Sequence, residues 1–268
     1  MHLTDTSLLT GLNEQQRQAV LTTEGPVLVI AGAGSGKTRV ITHRIAHLVQ
    51  NLNVPPENIL AVTFTNKAAQ EMRQRIHKLI QKDARGAWIC TFHAMCVRIL
   101  RSDIDLLGYE PAFSIYDDND QTAIIKECIA PLGKTAKEPG YYRAAIGRFK
   151  NRMLSPEDIE QTAQGPAEKQ LARVYRLYQR KLREQNALDF DDLLLMTLRL
   201  FDQHPDVLET YQQRFRYIMV DEYQDTNHLQ YNLIQRLAAG HRNVCIVGDD
   251  FQSVYSFRLA DISNILNF

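Results

Sequence analysis

Cysteine is scarce in this chain. Cys90, Cys96, Cys128 and Cys245 are scattered, and no two of them stand at metal-ligand spacing. A cysteine-held metal is therefore not expected, and the four read as reduced, mostly buried thiols of a cytoplasmic protein. Long apolar runs are lacking too: none approaches the roughly 20 residues that cross a bilayer. Met1-His2-Leu3-Thr4-Asp5 has no basic region leading into an apolar stretch, so no secretory leader is read there. Net charge is also absent, because 31 basic and 31 acidic side chains cancel. Their distribution is uneven, however. Residues 39–101 hold ten Lys/Arg against three Asp/Glu, and residues 141–183 hold ten against four. Local fields steer encounter with a polyanion even when the total is neutral, although ordinary solvated helix faces explain the same runs on charge alone.

What is present is a strong alternation of elements. The length suits two ordinary domains, or one large α/β domain with an insertion. Val27–Ile30, Ile59–Phe64 and Trp88–Thr91 are short apolar runs that read as strands. Helical patterns follow each, from Thr38 to about Gln50, from about Lys67 to Gln81 and from Phe92 to about Asp103. Such alternation predicts βα units on a parallel sheet. From about Gly108 to Ala187 strand signals thin out and polar, basic helices take over, at about Asp118–Ile129, Tyr141–Arg152 and Glu168–Asn186. This stretch reads as a helical insertion. After Phe190 the first pattern returns: two helices, then buried strands at Arg216–Val220 and Asn243–Val247 with a helix at about Leu229–Ala238 between them.

Directly after the first strand comes Ala31-Gly32-Ala33-Gly34-Ser35-Gly36-Lys37-Thr38. A strand, a glycine-rich turn and a helix start form the geometry that wraps a nucleotide phosphate chain, the glycines letting backbone N–H groups approach. Lys37 would supply a point charge to the β- and γ-phosphates, and the Thr38 hydroxyl would bind Mg²⁺. The usual pattern has glycine where this chain has Ala31, and a plain Gly/Ser turn is the bland alternative.

Further boxes fit the same chemistry. The strand at Tyr217 ends in Asp221-Glu222, and two carboxylates at the end of a buried strand are costly unless they serve a metal or a proton. In a phosphoryl-transfer site the first would hold Mg²⁺ and the second would polarise the attacking water. The strand at Asn243 runs into Gly248-Asp249-Asp250, followed by Gln252, Tyr255, Phe257 and Arg258. That amide could sense a γ-phosphate, and the aromatics with Arg258 offer stacking surfaces, though an aromatic-rich turn is more often packing. Upstream, Leu12–Val20 reads as a helix capped by Asn13, with glutamines that could pair with an adenine edge.

Taken in order, Leu12–Val20, Ala31–Arg39, Val62–Ala69, Thr91-Phe92-His93, Val220–Asn227 and Val247–Ala260 resemble the Q motif and motifs I, Ia, Ib, II and III of the UvrD/Rep/PcrA family of superfamily 1 DNA helicases. The resemblance covers essentially the whole chain. It implies an α/β fold: a RecA-like P-loop NTPase domain with a largely parallel sheet, in segments 1–107 and 188–268, and a mostly helical inserted domain at 108–187. It implies ATP and Mg²⁺ as cofactors. Gln16 would read adenine, Arg39 would lie against the nucleotide, and Ala31, Gly32, Ala33, Gly34, Ser35 and Gly36 would line the phosphates. Lys37 and Thr38 would bind phosphate and Mg²⁺, joined by Asp221, with Glu222 as base. Gln252 would couple the γ-phosphate to DNA, while Phe64, Asn66, His93, Tyr255, Phe257 and Arg258 would line the path of single-stranded DNA. The implied partners are single-stranded DNA and single/double-strand junctions, with the basic residues 141–183 facing duplex.

Departures accompany the match. Phe251 stands where the family has an acid, Phe257 where it has tryptophan, and Leu259 where it has glycine, which bears on coupling between ATP and DNA. The sequence ends at Phe268, before the family's second motor domain and the arginines that reach the γ-phosphate. The expectation is the motor half of an ATP-dependent 3′–5′ DNA helicase with slow turnover by itself. A non-catalytic regulatory module that binds nucleotide or single-stranded DNA is the alternative.

Overall fold

The computed structural model describes residues 6–249 apart from Ala33, Gln81, Lys82 and Ala136. In chain order its elements begin α1 (Glu14–Leu21), β1 (Val27–Ile30), α2 (Lys37–Gln50), β2 (Ile59–Thr63), α3 (Asn66–Leu79), β3 (Trp88–Thr91) and α4 (Phe92–Asp103). There follow β4 (Ser114–Tyr116), α5 (Asp118–Ile129), α6 (Pro139–Asn151), α7 (Pro156–Thr162), α8 (Pro166–Glu184), β5 (Ala187–Asp189) and α9 (Phe190–Gln203). The described chain closes with α10 (Pro205–Arg214), β6 (Tyr217–Val220), α11 (His228–Ala238) and β7 (Val244–Gly248). Two compact units result. One uses the chain up to Met95 and again from Pro205, and the other is Cys96–His204.

The first unit is built on a five-stranded sheet in the order β1-β7-β6-β2-β3, every pairing parallel. This is the α/β architecture that the alternation predicts. β2 and β7 are buried along all their residues, which is why they read as unbroken apolar runs rather than alternating ones. β1 departs from that reading. Its side chains alternate between a covered and an open sheet face: Val27 and Val29 pack on the core while Leu28 and Ile30 are 41% and 50% exposed. Ile41, Ile45 and Leu48 of α2 and Met72 and Ile76 of α3 cover one sheet face, against Ile59, Ala61, Met219, Cys245 and Val247. α1 is tied to α2 by the buried Arg44, whose guanidinium donates to the carbonyls of Ala19, Thr22 and Thr23. Because all five strands run the same way, their carboxyl ends share one edge.

The second unit is mostly helical, with Ile125, Tyr142, Ile146, Tyr175, Tyr178 and Leu182 in its core. It also holds a small parallel sheet that the sequence pattern does not announce, β4 against β5, in the register Ser114↔Ala187 to Tyr116↔Asp189. α7 is likewise unannounced. α9, which the pattern after Phe190 groups with the returning strands, belongs to this unit, where it packs on α6 and β5.

The junction of α6, β5 and α9 is ionic. Lys150 is fully buried, with Nζ 2.6 Å from Asp189 Oδ2 and 2.8 Å from Asp192 Oδ2. Tyr178 Oη donates to Asp189 at 2.8 Å, and Asp189 caps α9 by accepting from Asp192 N–H. Burial alone would discharge the lysine, but the two carboxylates outweigh it and hold its pKa up. Asp191, next in line, accepts from Asn151 Nδ2 at 3.3 Å. Burial first, then the neighbouring Asp189 charge, lifts its carboxyl to about 7. The folded state thus binds more protons than the unfolded chain between the ordinary aspartate value and about 7, and stability falls as pH rises through that window. Asp191→Asn should accordingly raise the urea midpoint at pH 8 but hardly at pH 4, with a difference of up to about 4 kcal/mol for a shift of this size. Equal effects at both pH values would show that this carboxyl is not the one that titrates.

Candidate active site

Each strand of the large sheet delivers polar groups to the shared carboxyl edge. After β1 the chain makes a glycine turn that is pinned to the neighbouring strand, Ala31 N–H donating to Gly248 O at 3.0 Å. Gly34 and Gly36 both have positive φ, 74° and 89°, conformations in which a Cβ is strained. Gly36 is constrained twice, since an added Cβ would sit 2.8 Å from Gln16 Nε2. Gln16 donates from that nitrogen to Ser35 O at 2.8 Å and completes a capping box with Asn13 at the start of α1. The glutamine of α1 and the turn after β1 are therefore one assembly. Arg39, exposed on α2, passes over Gly11, where a Cβ would meet its guanidinium at 3.0 Å.

α2 starts at Lys37 with no side chain capping it, because glycine stands at its N-cap. Lys37 is 8% exposed; its Nζ lies 3.4 Å from Asp249 Oδ2, just past β7, and 3.6 Å from Glu222 Oε2, just past β6. Thr38 Oγ1 donates to Asp221 Oδ2 at 3.0 Å across a separation of 183 residues. Asp221 is buried, continues the ladder through its N–H to Val62 O, and accepts from Glu222 N–H at 3.1 Å. Burial, with help from the Glu222 charge and against the Thr38 hydrogen bond, lifts its carboxyl to about 6. Glu222 is held in the left-handed region, φ 51° and ψ 46°, where the strand breaks into the turn Tyr223–Asp225. A bulky residue there is strained by roughly 1–3 kcal/mol, a cost that concentrates at functional sites.

Lys37, Thr38, Asp221 and Glu222 are thus brought together, with Gln16, Gly32, Gly34, Ser35 and Gly36 beside them. Ala33 and Gln252 lie outside the described residues. Of the expected DNA-facing residues, Tyr255, Phe257 and Arg258 also lie outside them. Phe64 follows β2, half-buried, with its ring edge-on to Phe92 at 5.9 Å between centroids. Asn66 opens α3, exposed, and His93 is the second residue of α4, half-buried. These three stand where β2 and β3 end, on the same sheet edge as Asp221 and towards the opposite margin from β1.

Two residues of the site escaped the sequence reading. Asp249 is 1% exposed and faces Lys37; its position at a strand end was the available signal. Gln224, also buried, joins Glu222 to Asp249, and nothing local to its sequence announces that role. Among the described residues there is no group of three or more His, Cys, Asp and Glu able to cage a metal. None of their helices is long and apolar enough to cross a membrane. All four cysteines are buried and free.

Residues 12–268 match the UvrD/REP helicase N-terminal domain. The chain is 50% identical over 264 residues to a protein of Staphylococcus aureus named ATP-dependent DNA helicase PcrA, covering 98% of this chain and 36% of that protein. The protein of the same name from Staphylococcus epidermidis matches at 50% identity with the same coverage. The chain therefore spans about a third of the length of these curated relatives. The matched region takes in every box from the glutamine helix to the last described strand, and the chain belongs to the UvrD/REP helicase N-terminal domain family.

Proposed function

We propose that this chain is the ATP-binding and single-stranded-DNA-binding motor half of an ATP-dependent 3′–5′ DNA helicase. The observation that carries the reading is the meeting of Lys37, Thr38, Asp221 and Glu222 at one sheet edge from two separate strand ends, with Asp249 facing Lys37 from a third. Ligands of open α/β sheets bind at that edge. The glycine turn would wrap the phosphates with backbone N–H groups, and Lys37 would exchange its carboxylate neighbours for phosphate oxygens. Gln16, fixed to Ser35, would meet the base, with Arg39 alongside.

Thr38 and Asp221 suit Mg²⁺. They offer hard oxygen donors 3.0 Å apart, and the Asp221 carboxyl, costly to ionise where it is buried, gains from a cation. Bound there, Mg²⁺ would neutralise phosphate charge. Glu222 would take the proton of the attacking water, its partial exposure leaving room for one. The helical unit would be the insertion of this motor half, its basic helices turned to duplex. The curated relatives are much longer, so unwinding is proposed for the longer protein, and this span should bind nucleotide more readily than it turns it over.

The test is an equilibrium titration of a fluorescent ATP analogue into the 268-residue chain with and without Mg²⁺. Magnesium-dependent binding supports the reading, and no binding at millimolar nucleotide sinks it. For DNA, stacking on Phe64 at roughly 1–3 kcal/mol per base should be read by Phe64→Ala, which lowers affinity for any single strand about tenfold. Binding should also weaken as salt rises. Anisotropy titrations with two unrelated oligonucleotides check both, and unchanged affinity in the variant would put the strand elsewhere.

A further inference from the structure

Gln224 lies two residues beyond Glu222, in the turn Tyr223–Asp225, and is 2% exposed. Its carboxamide is used at both ends. Nε2 donates to Glu222 Oε2 at 2.7 Å, and Oε1 accepts from Asp249 N–H at 3.0 Å. With Lys37 facing both Glu222 and Asp249, four residues from the ends of β1, β6 and β7 close a ring. Glu222 is its loosest member, 40% exposed on a side chain with several rotamers. A carboxamide offers a donor and an acceptor on one rigid plane, so fixing its acceptor end on the backbone aims its donor end.

We propose that Gln224 is a positioning residue: it selects the rotamer in which the Glu222 carboxylate meets the attacking water, and it ties that rotamer to the main chain at the end of β7. The inference rests on the reading of Glu222 as the base. It differs from a packing role in a definite way. A buried glutamine that merely fills the turn would be replaced by methionine of similar length at little cost to either neighbour. A glutamine that aims a carboxylate is replaced by nothing that lacks the donor. Glutamate in its place keeps the acceptor for Asp249 N–H but sets a second carboxylate against Glu222.

The experiment compares the 268-residue chain with Gln224→Met and Gln224→Glu, with Lys37→Ala and Glu222→Gln as controls. Three quantities are read: amide hydrogen exchange at Asp249, Mg·ATP affinity, and single-turnover ATP hydrolysis with the chain in excess. Gln224→Met should speed Asp249 exchange at least about tenfold, while Gln224→Glu should leave it protected. Both should keep nucleotide affinity within about threefold and lose at least about tenfold in hydrolysis rate, approaching Glu222→Gln, since a general base contributes about 10²–10⁴. Where turnover is too slow to follow, the carboxyl ¹³C resonance of Glu222, assigned through Glu222→Gln, should move in both variants. A wild-type rate or an unmoved resonance in Gln224→Glu overturns the proposal. So does a parallel loss of affinity and rate in that variant, which marks a structural role. Should Gln224→Met not fold, the near-isosteric Gln224→Glu still decides. If Lys37→Ala leaves Mg·ATP binding intact, the nucleotide reading fails, and exchange and resonance still report whether Gln224 holds Glu222.

Discussion

Lys37→Ala is expected to weaken Mg·ATP binding by about a hundredfold. The Lys37 ammonium is almost buried and faces two carboxylates, so it is already desolvated and aimed before a nucleotide arrives. A hydrogen bond to a charged group is worth roughly 1.5–3 kcal/mol; two of them to phosphate oxygens, offset in part by the Glu222 and Asp249 contacts that Lys37 gives up, amount to about two powers of ten. The same substitution removes the cation that faces the buried Asp249, so the chain without nucleotide should also melt earlier. Lys37→Arg keeps the charge but needs more room than a space closed by Glu222 and Asp249 provides, so it should rescue melting better than binding. Titration calorimetry and thermal denaturation on the three proteins check this. Full affinity in Lys37→Ala would mean that phosphates do not sit on the turn after β1.

Lys150→Met is expected to cost about 4 kcal/mol of stability, in the range found when one member of a buried ion pair is removed. Methionine fills most of the volume, so the loss comes from leaving Asp189 and Asp192 without their cation rather than from a cavity. The loss should be confined to the helical unit, whose α6, β5 and α9 meet at this lysine. Urea unfolding followed by far-ultraviolet dichroism should then show an early transition that nucleotide does not shift, and a later one that it does. Adding Asp189→Asn should restore part of the loss, because asparagine removes a charge and still caps α9. A single unshifted transition in Lys150→Met would show that the network contributes little beyond packing.

β2 and β7 of the large sheet are legible in the sequence for one physical reason. A parallel strand covered on both faces must be apolar along its whole length, so Ile59–Thr63 and Val244–Gly248 stand out as short apolar runs. The glycine turn was legible because positive φ at Gly34 and Gly36 demands that residue type. The apolar run Val27–Ile30 marks β1 as a strand, but the run does not record that one of its faces is left open, because all four residues are apolar. β4 and β5 were missed because each is three residues long and exists only through pairing with the other, Ser114 with Ala187. α7, at seven residues, is too short for a helical period to establish itself.

The sequence by itself determined the chemistry on offer: which residue types follow each strand, in what order, and hence the family to which the chain belongs. Local rules suffice for that, since backbone conformation and burial leave their mark within a few neighbouring positions. Only the tertiary structure decided which of those groups meet. Thr38 reaches Asp221 because β1 and β6 both flank β7, an order along the sheet that no local pattern encodes. Gln224 finds Asp249 through the same strand order, and Lys150 finds Asp189 and Asp192 through the packing of α6 on α9. A buried polar group must be satisfied by whatever the fold brings within about 3 Å, and that neighbour is set by strand order and helix packing rather than by distance along the chain.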